Sequence, residues 1–254
     1  MDSVVKAECV NHIREMTETR RVWLVVLLYW AVFALLATWL YPVTMADSIT
    51  RYAPMADAFA RGDWRHAFHP RFGVLFQILS GGLVWLTGMS GEHAIQVVAI
   101  GFVALAGMPL FFMAKRIFGA TVAWWALAFL FANDEMTRHA MDGLRDPGKC
   151  LAFALLGYGA VARRPLFIGL GLFVFISLFS YGFAVGSVLV FAWCVGVLVR
   201  AIRNNRFDGE AVSSILWPSL GWALGTASVT VMTHAFTGHW LPAPHFIKIL
   251  GGWL

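Results

Sequence analysis

Charge is scarce in this chain. Only 13% of its 254 residues are Asp, Glu, Lys or Arg, while 59% are hydrophobic; an ordinary soluble domain carries about 25% charged residues. That shortage excludes a self-sufficient soluble globule, because the apolar excess is more than one core can bury and lipid must solvate the remainder. Alternating polar and apolar segments are also missing, which excludes a transmembrane β-barrel. Cysteine is sparse: Cys9, Cys150 and Cys194 are scattered and odd in number, so neither a disulfide framework nor a metal cluster follows. There is no internal repeat, low-complexity tract, soluble domain or nucleic-acid motif. The net charge of +5 therefore reads as topology and lipid-headgroup contact rather than as a nucleic-acid footprint. An all-α integral membrane protein remains, a single polytopic domain over residues 1–254.

What is present is a series of continuous apolar runs: Val22–Leu40, Phe72–Leu86, Ala94–Met113, Ala120–Ala132, Cys150–Val161, Leu166–Val199 and Val212–Thr233. The first is longer than the ~7–15-residue apolar stretch of a signal peptide and ends in Tyr41-Pro42, so it predicts a retained span. Crossing takes about 20 apolar residues. Leu166–Val199 is long enough for two short helices, with Gly182 and Gly186 marking a bend. Phe72–Leu86 is short and holds Gln77, Ser80, Gly81 and Gly82. If it stays on one side, the N-terminus, Lys115-Arg116, Arg163-Arg164 and Arg200/Arg203/Arg206 share a face that carries 11 of the 19 Lys and Arg. If it crosses, the balance inverts. The positive-inside rule favours the first arrangement. It predicts about seven transmembrane helices, a cytoplasmic N-terminus (1–21), and outward segments at 42–93, 133–149 and 234–254.

The polar residues concentrate in the outward loops. From Ile49 the apolar positions Tyr52, Met55/Ala56 and Phe59 recur at helical spacing, opposite Thr50, Arg51, Asp57 and Arg61. A helix lying flat on the membrane, apolar side down, is expected, with Trp64, Phe68 and Phe72 continuing the interfacial anchoring. Asp47 or Ser48 would cap it. A carboxylate beside a helix N-terminus is also fixed and kept ionised, which suits a general base. His69 and Arg71, in His69-Pro70-Arg71, are either solvated and snorkelling or an anion site at headgroup level. The second loop places Asp142, Arg145, Asp146 and Lys149 at a membrane boundary, where unpaired charge is expensive and often functional. Asp146 precedes Pro147 and is expected to be extended.

An ordered set of motifs then resembles one family. "ADSITRYAPMADAFARGDW" follows the first span, "FHPRFGVLFQI" looks like a His/Lys-Pro-Pro-Leu element, and "GMPLFFMAKRIFGATVAWWALAFL" looks like a Pro-Leu…Ala-Arg-x-Leu-Phe-Gly turn. "MDGLRDPGKCLAFALLGYGAVARR" looks like a loop carrying a second acid, and "HAFTGHWLPAPHF" is similar to a Tyr/Phe-x-Gly-x-x-x-Pro segment. Together they resemble the GT-C type polytopic glycosyltransferases that use lipid-linked sugar donors, in the protein mannosyltransferase and aminoarabinose transferase branch, over its membrane half only. Asp47 lacks the adjacent acid many relatives have, and Arg71 replaces the second proline.

The resemblance implies an inverting transfer of a sugar from a polyprenyl-phosphate donor to an acceptor hydroxyl on a glycan, lipid or protein, at the outer face of a plasma membrane. Asp47 would be the general base and Asp146 (or Asp142) would orient the acceptor. His69, Arg71, Arg145 or Lys149 would offset charge on the departing lipid phosphate. No cofactor is called for; metal-ligand spacing is missing, although two acids on separate loops could hold a divalent cation. The rivals are a non-catalytic assembly subunit that works with a partner, and a transporter. Nearly empty mid-span positions argue against the transporter.

Overall fold

The computed structural model describes residues 2–69, 72–179, 182–204 and 208–238. Among these the fold is all helix. Helix α1 (Asp2–Leu40) is followed by a five-residue π turn (Ser48–Tyr52), α2 (Ala53–Ala60), α3 (Trp64–Ala67) and α4 (Leu75–Thr87). Then come α5 (Gly91–Phe118), α6 (Ala120–Phe131), α7 (Asp134–Met141), α8 (Pro147–Ala162), α9 (Pro165–Leu178), α10 (Gly182–Arg203) and α11 (Gly209–Thr237). Four segments are long and apolar enough to cross a membrane: Met16–Leu40, Gly91–Phe118, Gly182–Arg203 and Gly209–Ala235. Helices α4, α6, α8 and α9 are apolar but shorter. The run Leu166–Val199 resolves into two helices, α9 and α10.

Local sequence explains the punctuation. Ser90, Asn133 and Asp208 each accept a backbone N–H at the start of α5, α7 and α11, satisfying one of the orphan donors there. Pro147 and Pro165 open α8 and α9 at positions where no N–H is needed. Helix α5 is the centre of the bundle, with Ile95, Ala99, Ile100, Val103, Ala106 and Phe111 fully buried. Helices α9 and α11 meet through glycine. A Cβ on Gly221 would lie 2.0 Å from the Gly169 carbonyl oxygen, and one on Gly169 2.3 Å from that of Trp217. Small residues of this kind let transmembrane backbones approach closely. Large apolar side chains such as Leu28, Phe129, Phe191 and Ile202 point outward, as a lipid-facing surface requires.

Polar contacts define two rims. At one end of the bundle Glu18 pairs with Lys115, joining the start of the first span to the end of α5. At the other end Gln96, early in α5, donates its Nε2 to the carbonyls of Tyr41 (3.0 Å) and Met141 (2.7 Å). It thereby joins the ends of α1 and α7. The carbonyl of Leu178, closing α9, accepts from Gly73 N at 3.2 Å and from Arg145 at 3.0 Å. Helix α4 begins and ends on this second, loop-bearing rim: Gly73 before it meets Leu178, and Gly91 N after it donates to Asp57 Oδ1 at 2.8 Å.

Two expectations are corrected here. The helix after Asp47 does not lay its apolar face on lipid. Tyr52, Met55 and Ala56 are buried in protein; Tyr52 packs on Phe76 of α4, and the Ala53 carbonyl abuts Gly91. The supporting surface is α4 and α5, because α4 folds back beneath it. Asp146 is not extended: its backbone is helical, φ −58° and ψ −33°. The turn bonds Gly148 N to Arg145 O and Lys149 N to Asp146 O, both 2.9 Å, hold it there.

Candidate functional site on the loop-bearing rim

Pro54 shapes the first element of the site. It has no N–H to continue an α-helical ladder, and Ala53 N instead bonds back five residues to Ser48 O, widening the turn into a π segment. Such widened turns are frequent at functional sites. Asp47 stands at its N-terminal end but makes no capping bond. Its Oδ1 instead pairs with Arg51 one turn on, at 2.8 Å, and both side chains are about half exposed. Tyr52 points the other way, into the protein.

Around Tyr52 the loops converge. Its ring meets Phe72 edge-on at 5.4 Å. The Arg145 guanidinium carbon lies 6.0 Å from the centre of the Tyr52 ring, 5.0 Å from Phe72 and 4.9 Å from Phe179. Arg51 lies 5.6 Å from the Phe72 ring and Lys149 4.8 Å from Phe179. Each such placement draws the cation toward the negative face of the ring. The result is an aromatic floor from the first loop and the end of α9, roofed by three cations. Lys149 is paired with Asp146 at 2.5 Å. Arg145 has no carboxylate partner among the described residues; its described hydrogen bond goes to the Leu178 carbonyl.

The electrostatics of Tyr52 report the same convergence. Burial pushes its phenol above the ordinary value; Arg145 and then Arg51 pull it back, while Asp47 and Asp146 push it further up. Two carboxylates and two guanidinium groups thus act on one phenol. They come from residues 47–52 and 145–146, so the rim unites both loops.

The other predicted residues take different places. Asp142 is buried (1% exposed), and its Oδ1 accepts from Thr44 Oγ1 at 2.7 Å and Thr44 N at 3.1 Å. It ties the exit of α1 to the second loop and does not face solvent. His69 is exposed, its ring 5.1 Å from that of Phe72, at the edge of the floor. Arg71 lies outside the described residues, as do residues 239–254 of the third outward segment. Part of the polar density of the first loop is local scaffolding. Asp63 caps α3 and meets His66 Nδ1 at 2.7 Å, a contact that lowers the Asp63 pKa. Asp57 caps α5 across the loop.

The sequence pattern did not single out Tyr52, Phe179, Arg51 or Thr44 for the site. Tyr52 belonged to an apolar stripe and Arg51 to its solvated side; Phe179 was hidden inside a long apolar run. Helical spacing of Asp47 and Arg51 was the available clue to their pairing. Among the described residues no group of three His, Cys, Asp or Glu side chains gathers as a metal site. No protein-family model matches this chain, and no curated protein or solved structure matches it either.

Proposed function

We propose that the loop-bearing rim transfers a sugar from a polyprenyl-phosphate donor to an acceptor hydroxyl, outside the cytoplasm, with Asp47 as general base. The observation that carries this reading is the cation-roofed Tyr52–Phe72–Phe179 floor, with Arg145 over its rings and Arg51 and Lys149 at its edges, the last two paired with Asp47 and Asp146. Arg145 is half-buried on three rings with no carboxylate partner among the described residues, and a fixed cation in a partly desolvated site is suited to a developing phosphate charge. A planar guanidinium also matches phosphate oxygens in pairs.

In the reaction the acceptor oxygen forms a bond to the anomeric carbon from the face opposite the phosphate, and its proton passes to the Asp47 carboxylate. The anomeric carbon–oxygen bond breaks, and its electron pair leaves with the polyprenyl phosphate. Arg145 and Lys149 meet that charge. Asp146 holds the Lys149 ammonium in place, and Arg51 orients Asp47. Asp142 has no chemical part; it fixes the second loop against Thr44.

The test uses the purified chain in lipid nanodiscs. Polyprenyl monophosphate, the product shared by every sugar donor, should bind wild type, and Arg145→Met should weaken that binding at least tenfold. With a panel of polyprenyl-phosphate sugars, Asp47→Asn should lower transfer by about 10²–10⁴ and leave phosphate binding and thermal stability unchanged. Equal binding by wild type and Arg145→Met would refute the phosphate site. A binding site that survives without any transfer would favour the non-catalytic assembly subunit.

A further inference from the structure

The opposite rim carries a cleft that the transfer reaction does not use. It has a volume of about 520 Å³ and lies where the α8–α9 turn faces the ends of α10 and α11. That size is within the ~300–1,000 Å³ range of small-ligand sites. Arg163 and Arg200 line it, and so do Asp208 and Glu210. Opposite charges sharing one cleft would ordinarily close on each other. Here, among the described residues, none of the four forms an ion pair. Arg163 closes α8 in the left-handed conformation at φ +52°, with Arg164 N bonded back to the Gly159 carbonyl at 2.8 Å. Asp208 spends Oδ1 on the N–H of Ala211, which leaves Glu210 as the freer acid.

One wall, formed by Ala192, Trp193, Gly196 and Val197 of α10, is apolar. Trp193 donates its indole N–H to the Ser214 carbonyl at 2.8 Å, tying α10 to α11. Ala192 and Gly196, one turn apart on α10, are both exposed, and a Cβ on Gly196 would meet nothing. They continue from Arg200 along the helix as an open strip beside the lipid-facing Val195 and Val199. The cleft thus has a charged head at the rim and a shallow apolar track running from it, which is the shape of an amphiphile.

We propose that this cleft binds a zwitterionic aminophospholipid, its phosphate against Arg163 and Arg200, its primary ammonium against Glu210 and Asp208, and an acyl chain along Ala192 and Gly196. Basic pockets between membrane helices hold lipid phosphate in general; the acids are what add selection for an amine. A primary ammonium donates hydrogen bonds to carboxylates. A choline headgroup instead calls for an aromatic cage, and Trp193 is the one ring among the cleft's described residues.

Native mass spectrometry tests this directly. The full chain is released from micelles containing equimolar phosphatidylethanolamine, phosphatidylcholine and phosphatidylglycerol with identical acyl chains. The expected result is one retained phosphatidylethanolamine at severalfold higher occupancy than either competitor. Arg200→Gln and Glu210→Gln should each lower that occupancy at least fivefold, and Glu92→Gln on the other rim should leave it unchanged. Equal retention of the three lipids, a preference for phosphatidylglycerol, or undiminished retention in both cleft variants would overturn the proposal. The wild-type headgroup preference decides the matter even if a variant folds poorly.

Discussion

The two rims of this bundle hold charge in different ways. On the loop-bearing rim, cations rest on rings and acids are bonded across loops: Arg145 over Tyr52, Phe72 and Phe179, Asp142 under Thr44, Asp57 against Gly91. On the opposite rim Arg20, Arg21, Arg116, Arg163, Arg164, Arg200 and Arg203 are exposed, and Glu18–Lys115 is the ion pair described there. A charge that stays solvated at a helix end needs no fixed partner. A charge drawn in among loops and rings must be held by neighbours. The density of fixed contacts, more than the number of charged residues, separates the two rims.

The comparison predicts a graded set of responses. The largest loss of stability should come from Asp142→Ala, which empties a buried position and removes the carboxylate that accepts from the Thr44 hydroxyl and N–H. The cost is about 1–3 kcal/mol, read as a lowered unfolding midpoint in detergent, and Asp142→Asn should recover part of it through its remaining carbonyl oxygen. Next is Arg145→Met. It keeps apolar contact with the rings but removes the guanidinium and its bond to Leu178, for about 1–2 kcal/mol.

A smaller effect depends on pH. Burial makes the Tyr52 phenolate costlier in the folded state than in the unfolded one. The folded protein therefore keeps that proton to higher pH. This contribution is fully present below the ordinary phenol pKa of about 10 and is lost as pH rises through the raised folded value. Tyr52→Phe should flatten that alkaline fall in unfolding midpoint; an identical slope in wild type and variant would contradict the Tyr52 environment described above. The smallest effect belongs to the other rim: Arg203→Gln should change stability by no more than about 0.5 kcal/mol. A larger shift there would erase the contrast between the rims.

Much of the helical frame was readable without coordinates. Continuous apolar runs located α5, α6, α8 and α11 to within a few residues, and the end but not the start of α1, because a segment dissolved in lipid must be apolar over its length and must satisfy its own backbone. The crowding of polar side chains at the two loops was legible for a related reason: mid-span charge is costly, so polar groups collect at the ends. Individual roles were less legible. Asp142 and Asp146 look equivalent in "MDGLRDPGKC", yet one is buried under Thr44 and the other pairs with Lys149. Asp57 looked like a solvated residue of a flat helix and proves to cap α5. Tyr52 and Phe179 looked like ordinary apolar positions and proved to carry Arg145. Asp146 finds its partner three residues on; in the other cases the deciding partner is dozens of residues away in the chain, beyond the reach of any local pattern.

Composition and hydropathy by themselves determined that this is an all-helical membrane protein whose polar chemistry sits at helix ends, since the solvent around each segment acts on its residues regardless of neighbours. Only the tertiary structure decided which of those end-of-helix residues meet. The fold-back of α4 puts Phe72 beneath Tyr52, and the close of α9 brings Phe179 and the Leu178 carbonyl to Arg145. Distances of 5 Å between loops are set by how helices pack, and packing depends on the whole set of side chains at once.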